Sequence, residues 1–354
     1  MMEVKLVNVD IFEVLADVEQ RHAYRALTED SATPRFNTSF HTKHEAPDLP
    51  ARPSEQPYSF KRWLPLILRS RGLAASDAQV VKFSRAQAQL LLSTADASIQ
   101  SRHINRIYRE DLDEEIVPAF KSLSFPPEGL FMRLEACSAK DGVRKIPGDS
   151  ALRSVDEILL LLLTSVRARN ALFNALEAGA EKFELFFTPW DGRMRPEREY
   201  RVFCPPWCPQ ESPRISAISQ YAWHKEWIFN LPFHRELREQ LAEKIAQGSD
   251  EIRKQIAAEL DSNNEMDHLL MRQGFTFDVF FDEEHDRLQL VELNVFGARS
   301  ACGSCLFQWI RDRETLYGHG EPNYVEFRVA YQEAIDSRSS SYSSENDDEE
   351  DNGE

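Results

Sequence analysis

The residue pattern predicts an α+β fold built on mostly antiparallel sheets. Segments rich in aromatic and aliphatic residues, each about strand length, recur at Leu130–Glu135, Phe183–Phe187, Glu199–Phe203, Arg214–Gln220, Phe275–Phe281 and Leu288–Asn294. Several are separated only by short turns, too short for the crossover that parallel neighbours need. Helix signals lie between them. Ser154 followed three residues later by Glu157 is a capping box, opening a helix through Arg167. Glu236–Gln247 and Asp250–Leu260 read as charged helices joined at Gly248. Upstream, Val9–Ala26 fits an amphipathic helix.

This mixed pattern runs from Tyr58 to about Asp336 and reads as one domain, 58–336. Before it, residues 1–57 read as an extension and a linker, because five of the 18 prolines fall between Pro34 and Pro57 among few apolar residues. After it, residues 337–354 read as a disordered tail. From Arg338 to Glu354 there are seven acids, one Arg and no aliphatic side chain, too little apolar surface to order the segment.

Composition narrows the function classes. With 354 residues and 42% hydrophobic content, the chain can bury a sizeable core. A net charge of −17 disfavours electrostatic capture of nucleic acid or of an anionic membrane. The five cysteines do not suggest a secreted disulfide scaffold, so a reducing, cytoplasmic setting is expected. Met1–Asp30 carries charges throughout and does not read as a leader. The longest apolar run, Ile158–Leu163, falls far short of the ~20 residues a membrane helix needs. The phosphate loop, the dinucleotide fingerprint and the Gly-x-Ser-x-Gly elbow are all missing. His234-Arg235-Glu236 superficially resembles a kinase catalytic loop but lacks the accompanying motifs.

The strongest local signal is a hairpin. Gly274-Phe-Thr-Phe-Asp278-Val-Phe-Phe281 and Leu288-Gln-Leu-Val-Glu292-Leu-Asn294 flank a polar hexapeptide. If Phe281 faces Leu288, Asp278 falls opposite Val291 and diagonal to Glu292; a slip of one residue sets Asp278 opposite Glu292. Glu292 and Asn294 share a face in either register. Two carboxylates facing each other repel, and a hard divalent cation such as Mg²⁺ relieves the repulsion through oxygen ligands. The bland alternative is that these groups point to solvent. Acids that interrupt otherwise apolar strands argue against it.

Cations for phosphate lie upstream. Arg133 sits mid-strand, and a small-residue turn with Ser138 and Lys140 follows. A guanidinium can grip phosphate with two parallel donors, and turn amides with Lys140 can add to the grip. Arg201 is a third candidate, although for each Arg taken alone a surface salt bridge is the favoured reading.

In this order the pieces resemble the cell division cycle protein 123 family, over about Phe60 to Trp309. The family strand Phe-Val-Lys-Leu-Asn-Trp-Ser-Ser-Pro-Lys-Asp is similar to Phe131-Met-Arg-Leu-Glu-Ala-Cys-Ser-Ala-Lys-Asp141. Its Leu-Leu-Lys-Ser-Ser resembles Leu161-Leu-Leu-Thr-Ser165, and its Glu-Phe-Arg-Cys-Phe-Val resembles Glu199-Tyr-Arg-Val-Phe-Cys204. Ile-Ser-Gln-Arg corresponds to Ile218-Ser-Gln-Tyr221, and Asp-Val-Tyr with Asp-x-Asn-Pro-Phe-Gly to Asp278-Val-Phe and Glu292-Leu-Asn-Val-Phe-Gly297. A Leu-Phe-x-Trp also fits Leu306-Phe-Gln-Trp309.

The resemblance implies an ATP-grasp-like fold of two lobes, with nucleotide in the cleft between them. It implies ATP and Mg²⁺ as cofactors. By position, Arg133, Ser138, Lys140, Arg201 and Gln220 fall to the nucleotide, and Asp278, Glu292 and Asn294 to the metal. This member departs from the pattern: Arg133 replaces Lys, Glu292 replaces Asp, Tyr221 replaces Arg, Val295 replaces Pro and Ala136 replaces Trp. The implied function is that of an assembly chaperone for eukaryotic translation initiation factor 2, a cell-cycle-linked protein that grips the gamma subunit. The rival reading is an ATP-dependent carboxylate–amine ligase or another phosphoryl-transfer enzyme of the ATP-grasp class. A monomer is expected. Cys204-x3-Cys208 and Cys302-x2-Cys305 allow a four-sulfur zinc site, but isolated thiols are preferred, because Cys204 ends a strand and both pairs flank the expected cleft.

Overall fold

Alternating apolar positions build nine strands among the described residues: β1 (Glu3–Asp10), β2 (Gln79–Ser84), β3 (Leu130–Leu134), β4 (Lys182–Pro189), β5 (Glu199–Cys204), β6 (Ala217–Gln220), β7 (Phe275–Asp282), β8 (Arg287–Val295) and β9 (Tyr324–Tyr331). The computed structural model describes residues 3–24, 34–49, 52–230, 234–261, 263–319 and 324–332. The acidic run expected to be disordered lies outside these. The strands form a six-stranded sheet in the order β1-β9-β6-β5-β7-β8 and a three-stranded sheet in the order β2-β4-β3. The α+β expectation holds, with antiparallel pairing throughout the small sheet and in β6-β5-β7-β8. Parallel pairs join β9 to β1 and to β6.

Helix α1 (Ile11–Tyr24) follows β1, and α2 (Phe60–Arg71) packs along β8. One face of the large sheet buries Val202, Phe277 and Phe327 against Trp63 and Ile67 of α2 and against Ile245 and Ile252 further along the chain. A second core joins the small sheet to α3 (Arg85–Ser98), α4 (Val155–Leu163) and α5 (Val166–Glu177), through Leu91, Met132, Ile158, Leu172 and Phe187. Among the described residues no single helix is long and apolar enough to cross a membrane.

Several expectations change in detail. The helix opened by Ser154 stops at Leu163. Ser165 then caps a second helix by accepting from the Ala168 N–H, and the chain bends by 78°. The two charged helices are one, α6 (Arg235–Ala258), and Gly248 lies in its interior. The reason is packing: a Cβ at Gly248 would come within 2.7 Å of the Leu288 side chain on β8. Gly248→Ala therefore sets a helix-propensity gain of up to ~1 kcal/mol against an overpacking cost of ~1–3 kcal/mol. A net loss of about 1 kcal/mol is expected in urea unfolding.

The segments read as extension and linker are built into the main structure. β1 pairs with β9 over its whole length. Residues 34–49 lie along 298–307: the N–H of Asn37 donates to the carbonyl of Cys305, that of Phe40 to Ser300 and that of His41 to Ala298. Phe36 is buried there beside Leu306. Prolines here remove donors that strand pairing would use, and the extended chain is held by the donors that remain.

Candidate functional site

The two registers considered for the Asp278 hairpin are both present. Phe281 faces Leu288 and Val279 faces Leu290, yet Asp278 faces Glu292, because Val291 is an extra residue in a β-bulge. The bulge resolves a conflict in the sequence. Leu288, Leu290, Leu293 and Val295 all reach the apolar core, which strict alternation forbids. Past the bulge, Glu292 and Asn294 turn to the opposite face with Asp278.

On that face Arg201, the cross-strand neighbour of Asp278, grips it with two parallel bonds, Nε to Oδ1 at 2.8 Å and Nη2 to Oδ2 at 2.7 Å. Its third nitrogen donates to the Gly303 carbonyl at 2.7 Å. Asn294 Nδ2 donates to Asp278 Oδ2 at 3.1 Å. From the small sheet Arg133 reaches across, donating to Glu292 Oε2 at 2.5 Å, with its guanidinium 4.3 Å from the Phe60 ring. This pair ties β3 of one sheet to β8 of the other. Lys140 Nζ donates to the Tyr221 hydroxyl at 3.0 Å, and the Tyr221 ring lies 5.1 Å from the Arg201 guanidinium. Tyr221, which stands where the family motif has Arg, thus fills the space between two cations.

Ser138 lies beside Arg133 on a tight return of the chain, and its carbonyl accepts from Arg167. Gln220 is not brought to this face. It pairs with Tyr200, on the core side, and its amide is committed to the main chain of Ala222, Lys225 and Ala330. It is a buried brace between β6 and β9, and its expected role at the nucleotide does not fit that position.

Electrostatics separate the two paired acids. Burial works against charge at Glu292, but Arg133, then Arg201 and Lys140, outweigh it and hold this carboxyl below the usual range. Burial and the neighbouring Glu292 push Asp278 upward against the pull of Arg201. Glu199 is a third acid, pushed up to about 8 by burial and by the charges of Asp278 and Glu292. Nothing in the sequence marks Glu199 as different from any strand-opening acid. Arg71 is the other residue that sequence reasoning missed. It ends α2 before Gly72, where a basic residue is ordinary C-terminal chemistry.

The cysteines do not assemble. Cys204 lies in the large core, Cys208 is exposed, and Cys302 lies against Thr276 on the opposite face of the sheet. Burial raises the thiols of Cys204 and Cys302 and brings Cys305 to about 12, so each stays protonated near neutrality. Among the described residues the one grouping with metal-ligand spacing is Asp282, Glu284 and His285, and Arg193 Nη1 already lies within hydrogen-bond reach of all three.

The profile of the D123 family matches residues 131–351, which begins on the strand carrying Arg133 and includes every acid and amide of the cluster. The chain belongs to the D123 (Cdc123) family. Cdc123 from Schizosaccharomyces pombe is similar at 20% identity with a TM-score of 0.52, over 80% of this chain and 100% of that one. Its C-terminally truncated form gives 20% and 0.51, over 83% and 100%. At that identity the likeness to the yeast protein shows the α+β fold. No curated protein sequence matches the chain.

Proposed function

We propose that this D123 member binds ATP as its Mg²⁺ complex in an ATP-grasp-like site between the small and large sheets, and that it acts as an assembly chaperone on the gamma subunit of translation initiation factor 2. The observation that carries the nucleotide reading is the pair of buried ion pairs, Arg133–Glu292 and Arg201–Asp278, meeting where the two sheets face each other. The donor set fits a hard cation: two carboxylates and the Asn294 amide on one sheet face, all offering oxygen. Asp278, Glu292 and Asn294 would hold the metal, which supplies charge neutralisation for the triphosphate. Arg133, Arg201 and Lys140 would then turn to phosphate oxygens. Each arginine exchanges one anionic partner for another, so no buried charge is left uncompensated.

Calorimetry tests this. ATP binding is expected only with Mg²⁺ or Mn²⁺, and equal affinity in chelator would sink the metal role. Arg133→Ala should weaken MgATP binding by about 1.5–3 kcal/mol, the range for hydrogen bonds to charged groups, and Arg133→Lys should recover part of the loss. The partner reading rests on the family resemblance and is tested by capture of the purified gamma subunit with wild-type and Asp278→Asn proteins. Capture by neither, where yeast Cdc123 succeeds, would remove the partner.

A further inference from the structure

Four cations crowd the cluster, and two of them lack an acid. Arg133 has Glu292 and Arg201 has Asp278, whereas among the described residues no carboxylate lies within ion-pair distance of Lys140 or Arg71. Lys140 at least has the Tyr221 hydroxyl. Among the described residues the Arg71 side chain has only two bonds, both long, Nε to the Leu290 carbonyl at 3.3 Å and Nη2 to the Val291 carbonyl at 3.5 Å. Both distances lie beyond the usual range for an N–H donor.

Its position is built with more care than those bonds would need. Gly72, at φ 74°, closes α2 with bonds from the Gly72 N–H to the Arg69 carbonyl and from the Leu73 N–H to the Leu68 carbonyl. The adjacent Ser70 Oγ accepts from the Leu290 N–H at 2.9 Å, pinning the helix end to the edge strand β8 at the bulge. From there the Arg71 guanidinium lies beside the Leu290 and Val291 carbonyls, within the influence of the acids Glu199, Asp191 and Glu292 and of the cation Arg133. Burial lowers it to about 10, so it still carries its charge at neutral pH. Two acids, Asp278 and Glu292, face four cations, so the positive charges are in excess. A desolvated surplus of that sign is unfavourable until an anion enters.

We infer that Arg71 is a phosphate-binding residue of this site, holding a phosphoryl group of the nucleotide with the guanidinium edge that now makes only weak carbonyl contacts. The inference rests on the nucleotide reading above. On binding, Arg71 gives up its long bonds to the Leu290 and Val291 carbonyls of the edge strand β8.

The experiment compares full-length wild type, Arg71→Gln and Arg71→Lys, titrated with MgATP and separately with Mg-tripolyphosphate. Unfolding temperatures are measured alongside. Expected is a loss of about tenfold or more for Arg71→Gln with both ligands, partial recovery in Arg71→Lys, and unchanged unfolding temperatures. Unchanged affinity in Arg71→Gln overturns the inference and leaves Arg71 as a strap across the bulge. Equal losses in both variants that track a lower unfolding temperature overturn it too. If wild type binds tripolyphosphate but not ATP, the nucleotide reading fails, and Arg71 stands as a polyphosphate ligand where Arg71→Gln weakens tripolyphosphate binding and falls where it does not. If wild type binds neither, both fall.

Discussion

Asp278→Ala should lose about 3–5 kcal/mol of unfolding free energy, well beyond the removal of one exposed carboxylate. Asp278 is 1% exposed and Arg201 6%, and the two share a bidentate contact. Removing the acid strands a guanidinium whose remaining bond goes to the Gly303 carbonyl. The same substitution removes a proposed metal ligand, so loss of nucleotide binding in this variant alone says little about the metal. Asp278→Asn keeps the shape and one acceptor oxygen for Arg201, and it is the cleaner probe of binding. The double variant Asp278→Leu with Arg201→Met removes both charges and should recover much of the stability. Chemical denaturation of the three proteins checks this; a loss under ~1 kcal/mol for Asp278→Ala would mean water reaches the pair.

The second large effect is a pH dependence set by Glu199. Its carboxyl is raised to about 8 in the folded chain, against 4.5 as its ordinary value. Between those values the folded protein holds a proton that the unfolded chain has released. Raising the pH through this window therefore favours unfolding, and the penalty is complete above about pH 8. Glu199→Gln never ionises, so relative to wild type it should be increasingly stabilised from pH 5 to pH 9, by on the order of a few kcal/mol at the upper end. A difference between the two proteins that stays constant across that range would show that Glu199 is ionised throughout.

How much of this is legible in the sequence depends on what each residue has to satisfy. β5, β7 and β8 are legible because their inward faces are nearly continuous aromatic and aliphatic runs. β1 is not, since Val4 and Leu6 are only partly buried and the strand takes its place through pairing with a segment far along the chain. Gly248 punctuates the sequence as a break, yet tertiary packing against Leu288 keeps it inside a helix. The cluster is legible as a set: Arg133, Lys140, Arg201, Asp278, Glu292 and Asn294 do converge. Their mutual pairing is not, because side chains chosen for phosphate and metal are also complementary to one another. Gln220 is misplaced by strand alternation, which sends it to the face opposite Arg201. Arg71 is hidden for a different reason, as it lies against Leu290 and Val291 of β8, a strand far along the chain that no local pattern connects to it.

The pairing of β1 with β9 also bears on how the chain reaches this fold. The partners are about three hundred residues apart in sequence, and β6 finds its second neighbour only when β9 arrives. The small sheet, by contrast, draws its strands and its three helices from residues 79–189. Loop closure over short separations costs less entropy and comes sooner. During synthesis the small sheet can be complete while the large one still presents β6 as an open edge, a template for unwanted strand pairing. β9 is then the strand that seals that edge, so the chain is exposed to aggregation until translation has passed Tyr331.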